Sequence, residues 1–144
     1  MRSIIFSVIL VLLATTLGYG ADPVVDRKFE KLRLELKGQG VSDQFISATE
    51  TSVKRMIRSQ AETADIKTVL EDLWGQGVKG RALKNAVAAV AELVASGDDC
   101  LAASNIASTA AHKAEAQGLS GFGVGMKVRQ AVGDRKAYLK TLKK

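Results

Sequence analysis

Residue types able to do covalent or metal chemistry are sparse in this chain, and their spacing keeps them apart. There is one Cys, Cys100, and one His, His112. Both fall on one stretch of helical pattern. At 1.5 Å per residue a straight helix would separate them by about 18 Å, too far for a thiolate–imidazole pair or a shared metal ion. One Cys cannot form an internal disulfide, which leaves Cys100 as a small core residue or as the link of a disulfide-bonded dimer. A helix start would lower its thiol pKa while Asp98 and Asp99 beside it would raise it, so an activated nucleophile is not expected. The neighbouring carboxylates Glu71-Asp72 and Asp98-Asp99 would point about 100° apart on a helix and not converge on a substrate, so helix capping is their expected role. No catalytic, cofactor-binding or metal-ligating residue is assigned, and His112 is expected at or near the surface.

Two further segments invite a ligand. Gly118-Leu119-Ser120-Gly121-Phe122-Gly123-Val124-Gly125 precedes Met126-Lys127, but its glycines match neither the phosphate P-loop nor the dinucleotide-binding spacing, and no strand pattern comes before it. Gly121 and Gly125, four apart, instead suit close helix approach or a weak helix start. The second segment is basic. Lys127, Arg129, Arg135, Lys136, Lys140, Lys143 and Lys144 face only Asp134 within the last 18 residues, a field that can meet an anionic lipid surface, an envelope polyanion or an acidic protein. These seven are the candidate contacts to an anionic surface. Trp74, the only Trp, is expected in the core, with an exposed binding anchor as the alternative.

The elements that must carry these residues are helices. Beyond Pro23 there is no proline, helix-forming residues dominate, and apolar residues recur at i, i+3, i+4, as in Ile46, Thr49, Val53, Ile57 and Leu83, Val87, Val90, Val94. Asp22-Pro23 opens a first helix to about Lys37, and Ser42 caps a second to about Arg58. Ser59-Gln60-Ala61-Glu62 reads as a capping box opening a third helix to about Trp74, followed by a fourth from Lys79 to Ala95. Asp98-Asp99 opens a fifth to about Ala116, rich in Ala and Ser and so suited to a central position. Two shorter pieces, about Gly121 to Val132 and Asp134 to Leu142, complete the chain.

An internal repeat is superimposed on these helices. Leu36-Lys37-Gly38-Gln39-Gly40-Val41 matches Leu73-Trp74-Gly75-Gln76-Gly77-Val78 at an offset of 37 residues. It matches Ala114-Glu115-Ala116-Gln117-Gly118-Leu119 more weakly, 41 further on. Ser59 and Ser96 also recur 37 apart. A helix, a glycine turn and a second helix make one helical hairpin, and a period near 40 is that of stacked hairpins. The expected fold is therefore all-α, with six or seven short helices as antiparallel hairpins in a repeat-like stack or a closed bundle. Its units would fall at about residues 22–60, 61–97 and 98–144.

The chain has 144 residues, of which 47% are hydrophobic and 25% charged, values of an ordinary packed domain. Arg2 followed by the apolar run Ile4 to Leu17 and then Gly18-Tyr19-Gly20 has the form of a secretory signal peptide over residues 1–20, with cleavage after Gly20. The alternative is an uncleaved anchor, for which 17 residues fall just short of a bilayer core. Lipidation at the cleavage point is excluded because the only Cys is Cys100. Residues 21–144 then form one helical domain with net charge +5, its basic excess C-terminal. The function expected is an exported, non-enzymatic binding or scaffolding module of a bacterial cell envelope, periplasmic or secreted, whose partner is a protein or an envelope polyanion. Nucleic acid is not expected as a partner. The alternative is a membrane-surface protein docking on anionic lipid through its basic C-terminal helix, and a small hydrolase-type enzyme ranks third.

Overall fold

The computed structural model describes residues 21–75 and 80–144, and these are all-helical. The signal-like segment and the middle repeat turn, Gln76-Gly77-Val78, lie outside the described residues. Six helices follow in order: α1 (Pro23–Gly38), α2 (Asp43–Arg58), α3 (Thr63–Gly75), α4 (Gly80–Ala95), α5 (Cys100–Ala116) and α6 (Gly121–Leu142).

Three of their starts, those of α1, α2 and α5, follow from short polar side chains that accept the first free amides. The Asp22 carboxylate accepts from the Val24 and Val25 amides at 3.1 and 3.2 Å, with Pro23 in the first turn. Ser42 Oγ accepts from Phe45 N at 3.2 Å, and Asp99 from Ala102 N at 2.9 Å. Four of their ends share one geometry. At Gly40 the backbone takes φ +82°, its N–H donates to Lys37 O, and Val41 N donates back to Leu36 O. The same two bonds recur at Gly118 (φ +74°), where Leu119 N reaches Ala114 O, so these two turns close their helices identically. Gly97 (φ +92°) closes α4 the same way, and so does Gln60 at φ +67°, a left-handed residue that has a Cβ. The Ser59/Ser96 recurrence has a matching cause: each is the residue after its helix, and each hydroxyl donates to the carbonyl four back, Arg55 O and Glu92 O, at 2.9 Å.

Two expectations are corrected here. Ser59 ends α2 rather than opening α3. Glu62 takes the N-cap place instead, its carbonyl receiving Ile66 N at 3.0 Å, so the Ser-x-x-Glu pattern spans a turn and not a capping box. The two C-terminal pieces are one helix of 22 residues running through Gly133. Gly133 leaves no turn because its flanks, Val128 and Val132 before and Arg135 and Lys136 after, are both held against neighbouring helices.

The core is one continuous cluster. Phe29, Leu36, Ile46, Met56, Ile66, Leu70, Leu73 and Leu93 are fully buried, each worth about 1.5–3 kcal/mol of transfer free energy. α5 contributes mainly small residues to it, Ala103, Ala107, Ala111 and Ala114, which lets it pack closely on α3, α4 and α6. α4 touches α2, α3, α5 and α6, whereas α1 touches only α2 and α3 among the described helices. α1 and α2 lie in opposite directions. Lys54 late in α2 reaches Asp26 early in α1 at 2.7 Å, and Arg33 late in α1 takes Asp43 at the start of α2 at 3.1 Å.

Candidate functional site

α4 and α6 run in the same direction. Asn85 lies against Gly125 near their starts, Glu92 accepts from Lys136 Nζ at 2.7 Å further along, and Asp98, just past α4, binds Arg135. A Cβ on Gly125 would come within 2.7 Å of Asn85 Nδ2, so the close approach expected of the Gly121/Gly125 pair belongs to Gly125 alone. Gly121 faces open space.

On the outer side of this contact the two helices leave a groove. Its larger part, about 650 Å³, is lined by the small residues Asn85, Ala88, Ala89, Gly133 and Ala137 and by the cations Arg55, Arg129, Lys136 and Lys140. An adjoining cleft of about 330 Å³ shares Asn85 and Arg129 and adds Arg81, Lys84, Phe122 and Met126. Glu92 is the one carboxylate among these lining residues, and it is taken by Lys136. The groove is therefore strongly cationic, and Phe122 and Met126, 74% and 57% exposed, stand at its far end.

The seven basic residues expected at an anionic surface divide. Arg129, Lys136 and Lys140 line the groove, and Lys127 is exposed on α6 outside its lining. Lys143 approaches Gly97, and Lys144 ends the chain beyond α6. Arg135 serves a different purpose: its guanidinium donates to both Asp98 oxygens at 2.8 Å, and the Asp98 side chain is only 3% exposed. That hydrogen bond and the guanidinium charge hold the Asp98 carboxyl below its usual range. The sequence reading missed Arg55, Arg81 and Lys84, because they come from α2 and α4. A signal was present in the spacing Arg81, Asn85, Ala88, Glu92, which departs from the apolar stripe and gives α4 a second face.

The remaining candidates are placed apart from the groove. Cys100 is buried in the first turn of α5, and burial pushes its thiol up to about 11, with Asp65 and Asp99 adding to the shift. Asp65, on α3, is the carboxylate that acts there in place of Asp98. His112 is about half exposed on α5, its Nδ1 3.9 Å from Glu115. Trp74 is corrected from core to half-exposed: it stacks on Phe45 with ring centroids 5.2 Å apart, beside a cleft of about 390 Å³. Among the described residues no cluster of His, Cys, Asp and Glu could hold a metal ion, and no helix is long and apolar enough to cross a membrane. No protein-family profile, curated protein or solved structure matches this chain.

Proposed function

We propose that this chain is an exported, non-enzymatic binding module of a bacterial cell envelope, and that its binding face is the basic groove between α4 and α6. The observation that carries the reading is the convergence of Arg55, Arg81, Lys84, Arg129 and Lys140 on one groove whose single carboxylate is already paired. Cations gathered in a cleft focus field and raise the local concentration of an anionic partner. Residues 1–20 act as the signal that sends the chain across the membrane and are removed after Gly20. The six helices act as three antiparallel hairpins, α1–α2, α3–α4 and α5–α6. The opposed ion pairs of α1 and α2 and the common direction of α4 and α6 support that arrangement. Stacking of this kind lays one helix of each hairpin along a shared face, which is how extended binding surfaces arise.

Polyglutamate serves as the test probe. The purified protein should bind it at low ionic strength and release it as salt is raised from roughly 20 to 500 mM, where the screening length shrinks from about 20 Å to a few Å. Arg129→Glu with Lys140→Glu should weaken binding at least about tenfold, because both reversals put like charge on the probe. Absence of binding at low salt, or binding indifferent to the double reversal, removes the reading.

A further inference from the structure

Along α6, Phe122, Met126, Arg129, Gly133, Lys136 and Lys140 are among the residues lining the groove, on one continuous face of the helix. This face meets the buried one of α6 at Gly125 and Val132, while Val124 and Val128 are buried outside the groove lining. α4 runs beside it with Arg81, Asn85, Ala88 and Glu92, spaced four, three, four, lining the same groove. Two parallel helices thus line the groove over about 27 Å of α6 and about 17 Å of α4 at 1.5 Å per residue, with the small residues Ala88, Gly133 and Ala137 among the lining.

We infer that the occupant of the groove is an acidic amphipathic helix of a protein partner, lying along α4 and α6. Its apolar side chains sit on Phe122 and Met126 at one end, and its carboxylates meet Arg129, Lys140 and Arg55 along the rest. Charge complementarity selects an acidic partner, the elongated lining by two parallel helices suits a helical one, and the exposed Phe122 and Met126 supply the apolar anchor that a purely electrostatic site lacks. The inference rests on the binding-module reading and specifies its ligand.

Four probes test it: a 21-residue peptide with Leu at heptad positions near one end and Glu along the rest, a scrambled peptide of the same composition, polyglutamate, and vesicles of phosphatidylglycerol. The patterned peptide should bind at least tenfold more tightly than the scrambled one and gain helical circular dichroism on binding. Phe122→Ser with Met126→Ser changes two exposed side chains, so the fold is retained. It should erase the preference for the patterned peptide over the scrambled one. Gly133→Phe fills the open space at the groove lining and should block the patterned peptide. Equal binding of patterned and scrambled peptides overturns the inference while the module reading stands. So does tighter binding to vesicles than to the patterned peptide, lost with the Phe122/Met126 change. Failure of both peptides and of polyglutamate removes the inference and the module reading together.

Discussion

Asp98 and Asp99 are adjacent and chemically alike, yet the backbone turns them to different work. Asp99 caps α5, while Asp98 is nearly covered and ties the end of α4 to Arg135, 37 residues away. Because Arg135 lowers the Asp98 pKa, the stabilisation is fully present above the ordinary carboxylate range and is lost as pH falls through the lowered value. Asp98→Asn should therefore cost about 1–3 kcal/mol at neutral pH. The gap to the wild type should narrow from about pH 4 downward, as read by urea unfolding at a series of pH values. Cys100 is the converse case, a buried thiol pushed up to about 11. Its alkylation in the folded protein at pH 8 should be at least about tenfold slower than in denaturant, and a disulfide-linked dimer through Cys100 would need the start of α5 to open first. Equal rates would show the thiol to be accessible.

At the scale of the helix, apolar periodicity and capping chemistry made five of the six elements legible to within a residue or two at most ends, because Asp22, Ser42 and Asp99 each cap where a short acceptor precedes an apolar stripe. The misreadings came where a local signal met tertiary packing. Gly133 looked like a break, yet α6 continues through it because both flanks are held by other helices. Gly133 is a helical residue facing open space, so Gly133→Ala should stabilise the protein by about 0.5–1 kcal/mol, measured as a rise in denaturation midpoint. Gln60 was read as part of a capping box, but it holds φ +67° between α2 and α3. Gln60→Gly should relieve that strain and add about 0.5–1 kcal/mol. A loss of stability in the same assay would contradict the left-handed assignment. The groove was only half legible: the basic residues of α6 stood out as a run, whereas Arg55, Arg81 and Lys84 join them only through the packing of α2 and α4.

Taken whole, the molecule divides its forces along α6. No side chain after Val132 is buried, and what holds that half against α4 is ionic, Arg135 to Asp98 and Lys136 to Glu92. Amides of residues 134–142 should exchange with solvent faster at roughly 500 mM than at 20 mM salt, while those of α4 stay unchanged. Equal exchange would place the restraint in packing instead. The same half carries Lys136 and Lys140, one wall of the groove. Added salt then acts twice, screening the ligand and loosening the surface that receives it. Affinity for an acidic ligand should consequently fall more steeply with salt than the ligand's own charge count accounts for, because part of the counterion uptake takes place inside the protein.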